Sequence, residues 1–197
     1  DVLRLIDLLK ILGVKIEKIS NNKYSFEAKN IDLAAIESDD YQSKAKGLRG
    51  SIMVIGPLLS RFGKASIPKP GGDKIGRRRL DTHFDGLIKL GAKFNYDIKN
   101  YTYNVDASNL KGTYILLDQP SVTGTANIIM AASLAEGTTI LNNAAQEPEI
   151  IELANMLNIM GAKIKGAGTE SITIEGVESL EGCDYTVMPD GIEAGTF

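Results

Sequence analysis

The chain repeats one phrase three times, and this repetition limits its possible folds more than any other feature. The copies read LKILGVKI at residues 9–16, LIKLGAKF at 87–94 and LNIMGAKI at 157–164. Each copy has an apolar stripe at helical spacing before it, a glycine suited to the left-handed position that ends a helix, and a short strand after it. A turn and a second strand follow each copy, so every repeat is expected to close with a β-hairpin.

A further element of helix, glycine and strand precedes the second and the third copy. We expect helices over residues 46–62 and 122–135, with a strand after each and another strand over 114–117. Residues 127–135 of the second helix are apolar nearly all round, which indicates helices buried in the centre with sheets outside them. The sequence therefore predicts an α/β (α+β) fold, an inside-out α/β barrel of repeated βαβαββ units with buried helices.

The repeats also divide the chain. We expect a partial unit over residues 1–32, two nearly whole units over 36–106 and 113–176, and the start of a further unit over 184–197. Both ends interrupt a unit, so the sequence is expected to be one domain of a larger protein.

Charge and composition exclude several classes of protein. The chain has 22 basic and 25 acidic residues and a net charge of −3, which excludes a polybasic protein that binds nucleic acid or a membrane surface. The longest apolar runs, at 51–59 and 128–135, are too short to cross a bilayer. Cys183 cannot form an internal disulfide and His83 cannot supply a multi-histidine metal site. We therefore expect a cytoplasmic protein without a metal or cofactor.

Two basic features are candidates for anion binding. Residues 67–76 hold three glycines and two prolines, and Arg77, Arg78 and Arg79 follow them. Open backbone N–H groups beside these cations favour a phosphate or a carboxylate, although a solvated charged loop explains the composition equally well. Arg49 falls in an otherwise apolar predicted helix over 48–59, where it either contacts an anion or extends to solvent.

The hydroxyl-rich segment 121–125 stands between a predicted strand and a helix. Ser121 or Thr123 is expected to cap that helix, and the same groups can hold a diphosphate. His83 opens another predicted helix, and because no nucleophile is nearby in the sequence, a structural role is favoured for it.

Five segments together resemble one known family. They are GPLLSRFG at 56–63, PGGDKIGRRRLDTH at 70–83, LAEGTT at 134–139, NAAQEPE at 143–149 and PDGIEAGTF at 189–197. In order and over essentially the whole chain they look like the UDP-N-acetylglucosamine 1-carboxyvinyltransferases, a family of enolpyruvyl transferases. Family members are roughly twice as long, so the resemblance implies one domain, with the second domain of the same polypeptide absent.

The resemblance implies an activity and a set of residues. Members transfer the enolpyruvyl group of phosphoenolpyruvate to the 3′-hydroxyl of UDP-N-acetylglucosamine and release phosphate, which begins peptidoglycan precursor synthesis, and they use no cofactor. Asp73 matches the general acid of the catalytic loop, where most members have Cys. An aspartic acid can donate that proton only if burial raises its pKa above the ordinary value of about 3.9. The positions that match substrate-binding residues are Arg49, Arg78, Arg79, Leu80, Asp81, Thr82, Gln119, Pro120, Ser121 and Val122.

Two departures and two alternatives remain. Gln119 stands where Lys is common, which weakens one contact to the diphosphate, and Gly191 replaces an Arg expected at the domain crossover. One alternative is a transferase similar to 5-enolpyruvylshikimate-3-phosphate synthase, against which the Asp73 loop and the 143–149 segment speak. The other is a non-catalytic module that binds a nucleotide sugar.

Exchange of Asp73 for cysteine gives a chemical test of its matched position. A carboxylate is a far weaker nucleophile toward an epoxide than a thiolate. The full-length protein should therefore resist epoxide inhibitors of the fosfomycin type, and Asp73→Cys should become sensitive to them. Time-dependent loss of activity, with mass spectrometry of the adduct, measures both effects. Covalent labelling of the unsubstituted protein at Asp73 would contradict the prediction.

Overall fold

A computed structural model describes residues 2–69, 71 and 80–196 of the chain. The chain divides into two compact units. The described part of the first unit comprises residues 2–69, 71 and 92–108, and the second comprises residues 80–91 and 109–196.

The first unit contains three α-helices, five strands and two short 3-10 helices in its described part. The α-helices are α1 (Val2–Ile11), α2 (Asp39–Lys46) and α3 (Ile55–Phe62), and the 3-10 helices are Leu33–Glu37 and Arg49–Val54. The strands are β1 (Lys15–Ser20), β2 (Lys23–Glu27), β3 (Lys64–Pro68), β4 (Lys93–Asp97) and β5 (Thr102–Asp106). Strands β1 and β2 form an antiparallel hairpin, and β3, β5 and β4 form an antiparallel sheet in that order.

The single helix predicted over residues 46–62 is wrong. Helix α2 ends at Lys46 with Gly47 as its C-cap, the 3-10 helix Arg49–Val54 follows, and α3 begins only at Ile55. Gly47 and Gly50 explain the interruption, because glycine costs about 1 kcal/mol relative to alanine inside a helix. Arg49 is thus the first residue of a 3-10 helix and does not lie within an α-helix.

The second unit follows the predicted order of elements. It contains α4 (Asp81–Lys89), β6 (Tyr114–Leu116), α5 (Val122–Ala132), β7 (Thr138–Asn142), α6 (Pro148–Ile159), β8 (Lys163–Lys165), β9 (Ser171–Glu175) and α7 (Gly191–Thr196). One sheet has the order β6, β7, β9, β8, in which β6 and β7 are parallel and the other pairs are antiparallel. Over residues 113–176 the βαβαββ order is confirmed.

Helix α5 is the buried helix that the sequence predicts. Eight of its eleven residues are buried, and it contacts α4, α6 and β9. The sheet turns one face inward, where Leu141, Ile172 and Ile174 are fully buried, while Ile140 on the other face is 40% exposed. This alternation is the period of two expected for strands with one solvated face.

The glycine of each repeated phrase ends its helix in the left-handed region. Gly13, Gly91 and Gly161 have φ values of +89°, +108° and +103°. A residue with a Cβ is strained there, which explains why the phrase keeps glycine at this position. The prediction from the repeats is confirmed at all three places.

The end of the chain differs from the regular pattern. No strand forms over residues 177–190 of the described chain, and α7 follows, with Asp190 accepting hydrogen bonds from the backbone N–H groups of Ile192 and Glu193. The structure therefore has an exposed helix in the segment where the sequence predicts the start of a further unit, over 184–197, and that further unit stays a prediction. None of the described helices combines the length and apolar character needed to cross a membrane.

Helices α4 and α5 approach each other unusually closely at a glycine. A Cβ placed on Gly86 of α4 would lie 2.6 Å from Cγ1 of Ile128 on α5, and closer still to its Cδ1. Ile128 is fully buried, so it has no free space into which to move. The interhelical distance therefore depends on the absence of a side chain at position 86.

Replacing this glycine should destabilise the protein. Gly86→Ala gains about 1 kcal/mol of helix propensity but overpacks the contact with Ile128, which costs about 1–3 kcal/mol. We expect a net loss of about 1 kcal/mol, measured as a lower urea midpoint. Gly195→Ala is the matched control because it lies in α7, where nothing approaches within 4 Å of the added Cβ. Equal urea midpoints for the two variants would show that the close approach of Gly86 to Ile128 does not limit the stability of the protein.

Candidate functional site

Two helices of the second unit begin side by side. A Cβ on Gly124 in the first turn of α5 would lie 3.0 Å from Cγ2 of Thr82 in the first turn of α4. One turn further along both helices, Gly86 meets Ile128 in the same way. The helices are therefore parallel, and the positive ends of their dipoles lie together, which favours a bound anion.

The first turn of α5 is capped yet keeps open donors. Ser121 is the N-cap: its Oγ accepts a hydrogen bond of 3.1 Å from the Gly124 N–H, and its carbonyl accepts one of 2.8 Å from the Thr125 N–H. The predicted capping by Ser121 is confirmed. The N–H groups of Val122 and Thr123 donate to no group in the described part of the chain. Two backbone donors thus remain for a ligand.

The loop before α5 starts from a fixed point at the end of β6. The N–H of Leu117 donates to the carbonyl of Asn142 at 3.1 Å, and Asn143 Nδ2 donates to the carbonyl of Leu117 at 2.9 Å. Asn143 holds a left-handed φ of +56°, a conformation that asparagine tolerates better than most residues. The N–H of Ala145 donates to Thr125 Oγ1 at 3.0 Å, which ties the same segment to α5. Gln119 and Pro120 are exposed beyond this anchor.

The first turn of α4 presents a buried histidine. His83 is only 2% exposed, and Asn127 on α5 is fully buried beside it. His83 Nδ1 lies 3.1 Å from Asn127 Nδ2, and His83 Nε2 lies 3.2 Å from Thr123 Oγ1. Both ring nitrogens are therefore bonded, as expected for the structural role that the sequence favoured.

An open cavity of about 440 Å³ lies between α4 and β6. Its apolar wall includes Ile88, Leu116 and Leu117, and its polar groups include the carboxylates of Asp85 and Asp118. Lys89 Nζ donates to the carbonyl of Leu116 at 3.1 Å across the same region. Thr82 also lines the cavity, so the cavity adjoins the first turn of α4. Its volume falls in the range of about 300–1,000 Å³ common for small-molecule sites.

The structure places the predicted site residues in three groups. Leu80, Asp81 and Thr82 begin α4, and the segment from Gln119 to Val122 leads into α5, all in the second unit. Arg49 belongs to the first unit, where it is half-buried. Asp73, Arg78 and Arg79 lie outside the described residues. Their roles stay predictions from the sequence.

Sequence reasoning missed the hydrogen-bonded partners of His83. Thr123 and Asn127 are four residues apart on α5, a spacing that puts them on one helix face, and this was the available signal. Asp85 and Asp118 gave no signal, because only the packing of α4 beside β6 brings them to one cavity. Within residues 2–69, 71 and 80–196, no three His, Cys, Asp or Glu side chains are grouped to hold a metal ion.

The order of elements and the site belong to a known family of domains. The chain belongs to the EPSP synthase (3-phosphoshikimate 1-carboxyvinyltransferase) family, whose model matches residues 1–197. The fold is that of the crystal structure of the enolpyruvyl transferase NikO from Streptomyces tendae, with a TM-score of 0.80 at 20% identity over 98% of this chain and 45% of that one. An EPSP synthase structure from Acinetobacter baumannii gives a TM-score of 0.65 at 19% identity, over 91% of this chain and 40% of that one. The predicted fold class is confirmed.

Curated relatives of much higher identity carry a more particular name. The chain is 57% identical over 197 residues to the UDP-N-acetylglucosamine 1-carboxyvinyltransferase of Bacteroides fragilis. It is 52% identical over the same length to that of Porphyromonas gingivalis. The resemblance drawn from the sequence motifs is confirmed. The chain covers all of its own length in both matches but spans 45% of the length of each relative.

Proposed function

We propose that this chain forms part of an enzyme that transfers the enolpyruvyl group of phosphoenolpyruvate to the 3′-hydroxyl of UDP-N-acetylglucosamine. The observation that carries the proposal is the 57% identity, over all 197 residues, to a relative named for this reaction. The proposed partners are the two substrates and a second domain of the same polypeptide, and the proposed location is the cytoplasm, where peptidoglycan synthesis begins.

The start of α5 suits the diphosphate of the nucleotide sugar. The open N–H groups of Val122 and Thr123 can donate to phosphate oxygens, while Ser121 already holds the helix end in place. The N-terminus of α4 lies beside it and adds a second positive dipole end. Preformed donors of this kind bind an anion without a large cost in ordering.

The cavity between α4 and β6 suits the nucleoside end of the same ligand. Leu116 and Ile88, 54% and 50% exposed, offer apolar surface to a base, and the carboxylates of Asp85 and Asp118 can accept hydrogen bonds from ribose hydroxyls. Because Thr82 belongs both to the cavity wall and to the first turn of α4, one ligand can reach both places. The polar and apolar parts of the site thus match the two parts of a nucleotide.

The chemistry proposed for the full enzyme is addition followed by elimination. The sugar 3′-hydroxyl gives its proton to a general base as its oxygen forms a bond to C2 of phosphoenolpyruvate, while Asp73 gives a proton to C3. Loss of a proton from C3 and cleavage of the bond between C2 and the phosphate oxygen then release inorganic phosphate and form the C2=C3 double bond again. Arg78 would neutralise charge on the departing phosphate.

Phosphate release by the full-length protein tests this function directly. With phosphoenolpyruvate present, UDP-N-acetylglucosamine should trigger release and shikimate 3-phosphate should not. Phosphate release from phosphoenolpyruvate that shikimate 3-phosphate triggers and UDP-N-acetylglucosamine does not would identify an EPSP synthase instead. Tight binding of UDP-N-acetylglucosamine by calorimetry, without release under any condition, would identify a non-catalytic binding module.

Position 119 gives a graded test of the proposed diphosphate contact. Gln119→Lys adds a cation beside the start of α5, so the Kd for UDP-N-acetylglucosamine should fall by about three- to tenfold at low salt. The gain should shrink as salt is added, because exposed charges are screened. Ser179→Lys adds the same charge at another exposed position and should leave the Kd unchanged. Calorimetry at two salt concentrations measures the effect, and equal gains for both variants would mean that the charge acts nonspecifically.

A further inference from the structure

The hydrogen bonds of His83 join two segments of the proposed nucleotide site. In the chain, His83 directly follows the segment from Leu80 to Thr82, and Thr123 directly follows Ser121 and Val122. The contact of 3.2 Å between His83 Nε2 and Thr123 Oγ1 therefore connects the first turn of α4 to the first turn of α5. His83 is 2% exposed, whereas Thr123, whose hydroxyl it contacts, is exposed in the first turn of α5.

Asn127 determines which ring nitrogen carries the proton. In the orientation that the structure gives the Asn127 amide, Nδ2 faces His83 Nδ1 at 3.1 Å and can only donate, so His83 Nδ1 accepts. The proton of the neutral imidazole is then on Nε2, which donates to Thr123 Oγ1. The hydroxyl proton of Thr123 is consequently free to donate to another group, next to the open N–H groups of Val122 and Thr123 itself.

We propose that His83, oriented by Asn127, is a positioning residue that fixes the Thr123 hydroxyl as a further donor to the nucleotide sugar at the start of α5. This proposal rests on the proposed function, because it specifies how that site is held. The close packing of Gly86 on Ile128 fixes the distance between the helices. The hydrogen bond between His83 Nε2 and Thr123 Oγ1 in addition holds the Thr123 side chain in one orientation toward the ligand.

Two pairs of variants in the full-length protein separate this role from a merely structural one. Thr123→Val removes the hydroxyl at nearly constant shape, and Thr123→Ser keeps it. His83→Asn keeps an acceptor near Nδ1 for Asn127 but cannot reach Thr123, whereas His83→Gln places an amide donor near the position of Nε2. Thr173→Val, on the exposed face of β9, removes the same atoms as Thr123→Val and serves as the control.

We expect a specific pattern in steady-state kinetics and calorimetry. Thr123→Val and His83→Asn should each raise the Kd and KM for UDP-N-acetylglucosamine about five- to twentyfold, with kcat and the KM for phosphoenolpyruvate within twofold of the original. Thr123→Ser, His83→Gln and Thr173→Val should stay within threefold. The double variant of His83→Asn and Thr123→Val should be no weaker than either single one, because both break the same hydrogen bond. Nitrogen-15 NMR should show the proton of His83 on Nε2.

Several outcomes would overturn the proposal. If the protein binds UDP-N-acetylglucosamine but Thr123→Val binds it equally well, Thr123 is not a ligand contact. Because Thr123 is exposed, this variant should fold even if those at His83 do not. If the fold-increases in Kd of His83→Asn and Thr123→Val multiply in the double variant, the two residues act separately. A failure of the unsubstituted protein to bind UDP-N-acetylglucosamine would instead refute the proposed function, and the positioning role with it.

Discussion

The close parallel packing of α4 against α5 is the interaction on which the candidate site depends. Gly86 removes the side chain that would hold the helices apart, and Ile128 fills the space that is left. Because the two helices run parallel, their N-termini arrive at the same end of the unit. The positive ends of the α4 and α5 dipoles, each weak by itself, then act together on one bound anion. The segments that precede the two helices also become neighbours, although they are far apart in the sequence.

Helix α5 carries polar groups into the core, and the hydrogen bonds of these groups hold neighbouring segments. Thr125 and Asn127 are fully buried; the first bonds the segment after β7, and the second bonds His83 of α4. Buried polar groups are costly unless they are bonded, so each bond holds its segment in a defined place. The core helix thus sets the position of the loops around its first turn, which is why a largely apolar helix can organise a polar site.

Prediction from the sequence succeeded where one local rule decided the structure. The three glycines of the repeated phrase required the left-handed backbone, and Ser121 stood where an N-cap was needed. It failed over 46–62, where apolar periodicity continued across Gly47 and Gly50 and concealed a break in the helix. Helix α2 was missed although Ser38 caps it and Asp39 and Asp40 fill its first turn, because its one apolar face is short.

The sequence by itself determined the order of elements, the repeated unit and the family, since these depend on periodicity, glycine placement and motifs that are local in the chain. Only the tertiary structure decided that His83 meets Thr123 and Asn127, and that Asp85 and Asp118 share a cavity. These residues lie 33 or more positions apart. His83 meets Thr123 and Asn127 because α4 packs on α5, and Asp85 and Asp118 share a cavity because α4 packs beside β6. The distance between α4 and α5 is set by the fit of Ile128 against Gly86, and no periodicity in the sequence records that fit.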